Sequence, residues 1–131
     1  MIKLNITFRA YGVGFSPAVV ARQTGVPFSR SNEPGSIGVI GRYRDQSVPY
    51  GSAELVCPEV CADLIIPDAW FFPALKRITP ACLAAGATEV VLHVDVAFTD
   101  QCNLEMSSEF ASSIADLGIT LTMTCYDDSP M

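Results

Sequence analysis

Three features of the chain predict an α+β fold, a mostly antiparallel sheet of about five strands with two or three helices on one face. Three segments alternate apolar and polar residues with period two, the pattern of strands with one buried and one wet face. The first and last helical segments sit between a Ser that can cap the start and a Gly that can cap the end. The elements run β-α-β-β-α-β-α-β, and the first six match the split βαβ order of ferredoxin-like folds. A length of 131 residues reads as a single domain over 1–131.

The elements follow in order. In the first strand Ile2, Leu4, Ile6, Phe8 and Ala10 face the core, and Lys3, Asn5, Thr7 and Arg9 face water. Tyr11-Gly12-Val13-Gly14 breaks that strand. Ser16 then caps a helix with Pro17 at its first position, a body from Ala18 to Thr24, Val19 and Val20 as core contacts, and Gly25 as the terminator. Residues 27–36, rich in Pro, Ser, Asn and Gly, read as a loop. Ile37 to Arg44 reads as a strand loosened by Gly38 and Gly41. Val48 to Val56 reads as its hairpin partner, with Ala53 and Leu55 on one face and Pro49 marking an edge or a late start.

Cys57 to Ile66 is a short helix or an irregular crossing. Pro67 and Asp68 open a second helix, Thr79 and Pro80 restart it, and Gly86 closes it. Trp70, Phe71, Phe72 and Leu75 are its core side chains. In the next strand Val90, Leu92, Val94, Val96 and Phe98 share one face; Glu89, Val91, His93, Asp95 and Ala97 share the other. A loop from Thr99 to Glu105 leads to a helix from Ser107 to Leu117, with Glu109 near the positive end of its dipole and Phe110, Ile114 and Leu117 on one side. After Gly118 the last strand runs Ile119 to Tyr126. Ile119, Leu121, Met123 and Cys125 face the core there, and Thr120, Thr122, Thr124 and Tyr126 face out.

Charge is the most uneven property of the chain. All eight Lys and Arg lie in the first 77 residues, against six carboxylates, while residues 78–131 carry eight carboxylates and no cation. The two segments therefore hold +2 and −8, which together give the net −6. A pI near 4.5 argues against nucleic-acid or anionic-membrane partners, which demand clustered Lys and Arg. It suits a basic protein partner. The chain opens Met1-Ile2-Lys3-Leu4-Asn5, without the apolar run of a signal peptide, and no stretch has the length of a membrane span. Five cysteines, an odd number, then point to free thiols in a reducing cytoplasm.

Motifs of chemistry are sparse. His93 and Asp95, two apart on one strand, point the same way, a pairing suited to a base or a metal ligand. Their neighbours across the sheet would be Thr7, Arg9, Thr122 and Thr124, which are poor metal ligands, and Arg9 is a candidate ion-pair partner for Asp95. The plainer reading is a solvated sheet face. Cys57 and Cys61 have three intervening residues, not the two of redox and zinc motifs. Gly12-Val13-Gly14 lacks the third glycine and the Lys of a phosphate loop, and Ser16 and Ser107 stand in no nucleophile elbow. No catalytic residue, metal site or cofactor is expected, and the chain reads as a non-enzyme.

Three stretches carry a family likeness. One is Phe15-Ser16-Pro17 with the short helix ending Thr24-Gly25-Val26. Another is Thr88 to Phe98 followed by Asn103-Leu104-Glu105-Met106-Ser107. The last is Leu117-Gly118-Ile119 with the strand closing at Tyr126. In these, covering about half its length, the chain resembles a large bacterial family of small α+β domains of unknown function. The middle third departs, carrying Pro67, Pro73 and Pro80 where that family has a plainer amphipathic helix. Members of the family often look like immunity proteins, so the resemblance implies a protein that binds and neutralises a cognate bacterial toxin. Partner contacts are expected at Asp95, Asp100, Glu105 and His93. The alternative is a small-molecule or enzymatic module on the sheet face around Arg9, His93 and Asp95. A homodimer joined along a strand edge or a sheet face is a third reading.

Overall fold

The computed structural model describes residues 2–38, 41–58, 63–64 and 70–130. Its elements are β1 (Ile2–Val13), α1 (Pro17–Thr24), β2 (Arg30–Asn32), a 3-10 turn (Gly41–Tyr43), β3 (Tyr50–Val56), α2 (Phe71–Ala84), β4 (Glu89–Phe98), α3 (Ser108–Leu117) and β5 (Thr120–Asp127). The strands form one mixed, mostly antiparallel sheet in the order β2-β3-β1-β4-β5. The α+β class, the strand number and the three helices agree with the sequence. Placing β3 between β2 and β1 is the split βαβ arrangement, and β5 extends it. The β4–β5 pair is parallel, from Val91 beside Thr120 to Phe98 beside Asp127. The cause is the intervening α3, which carries the chain back to the start of the sheet so that the next strand runs with its neighbour.

The chain divides into two compact units: residues 1–8, 56–76 and 91–131, and residues 9–55 and 77–90. In the first, Leu4, Ile6, Phe8, Phe71, Leu75, Leu92, Val94, Val96 and Phe110 are buried. Phe72 meets Phe71 and Phe110 edge-on, at 5.9 and 5.5 Å between ring centroids. Ser107 caps α3 by accepting from the Phe110 amide at 3.0 Å, and Gly118 ends it in the left-handed conformation. Leu64 is tied to the segment before α3, its amide donating to Glu105 and its carbonyl accepting from Ser107. Trp70, expected in the core, is 43% exposed, whereas Phe71, Phe72 and Leu75 are buried as expected. Most of the Cys57–Ile66 segment and the Pro67-Asp68 helix start lie outside the described residues.

In the second unit Phe15, Val20, Val26, Ala53, Leu55, Ile78 and Cys82 are buried. Ser16 caps α1 as read from sequence, and it is itself held by Glu33, which accepts from the Ser16 hydroxyl at 2.8 Å and from the Ala18 amide at 2.7 Å. The segment read as a loop contains β2, which pairs antiparallel with β3 from Arg30 beside Glu54 to Asn32 beside Ser52. The expected strand Ile37–Arg44 is instead two isolated bridges, from Ile37 and Gly38, and the 3-10 turn; Val39 and Ile40 lie outside the described residues. Gly41 opens that turn at φ 71°, a backbone that L side chains rarely adopt. β3 starts late, just after Pro49, as that proline requires. The expected break at Thr79-Pro80 does not occur: α2 continues through Pro80, giving up the helical hydrogen bond that an amide there would make.

β1 also runs on to Val13, past the expected break at Gly12. Glycine is there for a different reason. A Cβ on Gly12 would lie 2.5 Å from the Gly86 carbonyl oxygen and 2.9 Å from the Thr88 nitrogen, and the Thr88 amide donates to the Tyr11 carbonyl at 2.9 Å. Gly12→Ala is therefore expected to cost about 2 kcal/mol through overpacking against backbone. Urea unfolding should show a lower midpoint at unchanged slope; an unchanged midpoint would mean that the approach of residues 86–88 is not a constraint.

Candidate functional site

Parallel pairing of β4 with β5 builds the surface on which the expected site residues lie. The register sets His93 beside Thr122 and Asp95 beside Thr124, and neighbours in register share a sheet face. The Asp95 carboxylate accepts from His93 Nε2 at 3.1 Å. His93 Nδ1 and the Thr122 hydroxyl are hydrogen-bonded at 2.6 Å, and Thr124 Oγ1 lies 3.4 Å from Nε2. The imidazole is 14% exposed and the Asp95 side chain 40%. Both ring nitrogens are thus engaged by neighbours on β4 and β5.

Arg9 does not complete this group. Its guanidinium pairs with Glu54 at 3.5 Å, and these two side chains line a cleft of about 320 Å³ with Tyr11, Tyr50 and Ser52. Period-two spacing brought His93, Asp95, Thr122 and Thr124 together correctly; the expected Arg9–Asp95 pair is replaced by Arg9–Glu54. The residues that sequence reading missed are Tyr11, Tyr43 and Tyr50. Their rings form an edge-to-face chain at 6.2 and 6.0 Å, Arg42 lies 5.5 Å from the Tyr43 ring centroid, and Tyr43 and Tyr50 line a cleft of about 480 Å³ with Asn32 and Arg42. Alternation carried one signal of this, since Tyr11 follows Arg9 on the solvent face of β1. Its hydroxyl is engaged by Glu89, which raises its pKa.

Of the other expected contacts, Asp100 lies at one end of the parallel pair and Glu105 on the connection that leaves it. Asp100 follows the carboxyl end of β4, and Asp127 and Asp128 close β5 beside it, the Asp128 amide donating to the Phe98 carbonyl at 2.7 Å. Glu105 precedes α3 and Glu109 lies in its first turn, so both belong to the connection that leaves this end. Asp100, Glu105, Glu109, Asp127 and Asp128 are all exposed. Asp100 takes φ 67° at the turn. The Ser129 side chain and amide donate to Asp127 and hold its carboxyl below the ordinary range. Among the described residues no Lys or Arg pairs with any of them. The first unit, by its sequence, sets Lys3 and Lys76 against ten carboxylates, a formal −8; the second sets six Arg against four carboxylates, +2.

Cys125 and Met123, expected in the core, are exposed, although they sit in register with the buried Val96 and Val94. Cys102 is exposed as well, while Cys57 and Cys82 are buried and Cys61 lies outside the described residues. Among the described residues no three His, Cys, Asp or Glu converge as a metal site. Among the described residues no helix is long and apolar enough to cross a membrane. Neither a family model, nor a curated protein, nor a solved structure matches the chain.

Burial pushes the Cys82 thiol up to about 12, so it stays a thiol at neutral pH. Maleimide applied to the native protein should therefore modify Cys102 and Cys125 and spare Cys57 and Cys82 until denaturant is added, as peptide mapping would show. The unfolded chain releases the Cys82 proton near its ordinary 9.0 and the folded one near 12, so above pH 9 the folded state binds more protons and loses stability as pH rises. Cys82→Ala should flatten that decline in unfolding titrations; an equal decline would show that Cys82 does not contribute to it.

Proposed function

We propose that the chain is a non-enzymatic binding protein for a basic protein, engaged through the carboxylate end of β4, α3 and β5. The family likeness makes a bacterial toxin, which the chain would neutralise, the partner of choice. The observation that carries this reading is that Asp100, Asp127 and Asp128 stand at the carboxyl end of β4 and β5, with Glu105 and Glu109 on the connection that leaves it, all exposed and without a Lys or Arg partner among the described residues. Such a concentration is costly within a protein through self-repulsion, and it becomes favourable against a cationic surface. Like potentials would also repel nucleic acid and steer a basic protein to the site. A small-molecule or enzymatic module around Arg9, His93 and Asp95 has less support, because Arg9 is held by Glu54 and both His93 nitrogens are occupied.

The test is binding to the product of the gene adjacent to this one, by titration calorimetry and stopped-flow association. The combined variant Asp100→Asn, Glu105→Gln and Asp127→Asn should bind roughly tenfold more weakly, taking rim charges at about 0.5 kcal/mol each. The loss should fall on the association rate and shrink at high salt. Undiminished binding by this variant would move the contact surface elsewhere, and absence of binding by the parent chain would remove the toxin as partner.

A further inference from the structure

The sheet order leaves β5 at one end, and among the described residues no strand pairs with its outer edge. The opposite edge, β2, has three residues; β5 has eight, with no Lys, Arg or Pro and a single charge, Asp127, at its end. Natural sheets blunt long edges with charges, prolines or covering segments, because a bare edge is a template for another strand. Thr120–Tyr126 carries no charge and no proline, among the described residues no strand covers its outer edge, and every residue of β5 is at least partly exposed. Its core-side residues, Met123 and Cys125, continue the apolar row of Val94 and Val96 beyond the cover that buries that row.

We infer that β5 pairs antiparallel with β5 of a second copy of this chain, about a two-fold axis through Met123. The sequence of the strand selects both the occupant and the register. A two-fold axis perpendicular to a sheet must pass through a residue pair, because successive side chains alternate faces. Centred on Met123, the pairs are Met123 with Met123, Leu121 with Cys125, Thr122 with Thr124 and Thr120 with Tyr126. Apolar residues meet apolar ones on one face, and Thr meets Thr or an aromatic ring on the other, the pairings that stabilise antiparallel strands. Moving the axis to Thr124 brings Asp127 opposite Leu121, inside the strand, whereas the Met123 register leaves Asp127 opposite Ile119, just before the strand begins. Moving it to Thr122 sets Tyr126 against Gly118, the terminator of α3. In the Met123 register the acidic ends of the two copies lie at opposite ends of the paired ribbon, so like charges do not face each other.

Sedimentation equilibrium of the purified chain alone tests this. A concentration-dependent dimer is expected, tighter at moderate salt than at low salt because both copies are acidic. Binding of a basic partner has the opposite salt dependence, so failure of one reading is distinguishable from failure of the other. Met123→Lys places two cations opposite each other and should weaken the dimer tenfold or more. Should that variant fold poorly by circular dichroism, cross-linking gives an independent readout. With Cys102 and Cys125 replaced by Ser, oxidation of Met123→Cys should yield a covalent dimer beyond that of the background, and Thr122→Cys alone should not. A chain that is monomeric throughout, a dimer indifferent to Met123→Lys, or equal cross-linking by the Thr122→Cys and Met123→Cys variants would overturn the assignment. So would a monomer whose β5 amides become protected from hydrogen exchange only when a basic polypeptide is added.

Discussion

The parallel register of β4 and β5 is the constraint from which the proposed acidic surface follows. Once α3 returns the chain to the start of β4, the carboxyl ends of both strands must lie together. Asp100 and the pair Asp127–Asp128 are then neighbours, although 26 residues lie between Asp100 and Asp127. The same register lays Thr122 and Thr124 beside His93 and Asp95, which converts a loose His–carboxylate pair into a group whose hydrogen bonds close among themselves. It also makes β5 the last strand of the sheet. An antiparallel hairpin in place of the α3 crossover would have sent Asp127 to the opposite end of β4 from Asp100.

Holding that crossover is the work of apolar contacts. Phe110 and Ile114 on α3 are buried, and the Phe110 ring packs edge-on against Phe72 of α2. The caps Ser107 and Gly118 fix where the helix begins and ends, and hence where each strand register starts. Charge contributes little to this unit's cohesion. A formal −8 opposes compactness, and an exposed ion pair would return only a fraction of a kcal/mol. Carboxylates concentrated against the interest of stability are what a surface selected for a partner would carry.

Elements with a one-sided apolar pattern were legible before the structure. β1, β4 and α3 announced themselves by period, and Ser16, Gly25 and Gly118 by capping chemistry, while the cap of α3 was legible only as Ser107 or Ser108 and is Ser107. Elements held by backbone rather than by side chains were not. β2 is Arg-Ser-Asn, three exposed residues whose only strand signature is a ladder with β3. Gly12 read as a break because sequence does not distinguish a glycine that turns from one that yields room, here to Gly86 and Thr88. Pro80 read as a restart because local rules oppose an interior proline, yet the buried residues on both sides, Ile78 and Cys82, keep α2 continuous. For the site, spacing supplied His93 with Asp95, and charge counting supplied the carboxylates. The gathering of Asp100 with Asp127 required the parallel register. Alternation also misled at β5, where it marks which face a residue is on, not whether anything covers that face: Met123 and Cys125 are on the core side and exposed.

The proposed acidic surface and the inferred self-pairing edge share one strand, and in the Met123 register they would lie apart. β5 spans eight residues, about 26 Å at roughly 3.3 Å per residue. Antiparallel pairing about Met123 therefore separates the two acidic ends by a strand length, some three times the screening length of about 8 Å at physiological ionic strength. Repulsion between the copies is then largely screened, and the edge can pair without neutralising the carboxylates. Each end of the dimer would present one acidic surface. Two basic molecules could be held at once, and a partner with two cationic patches that far apart would gain from linked binding, in which the second contact forms within the complex.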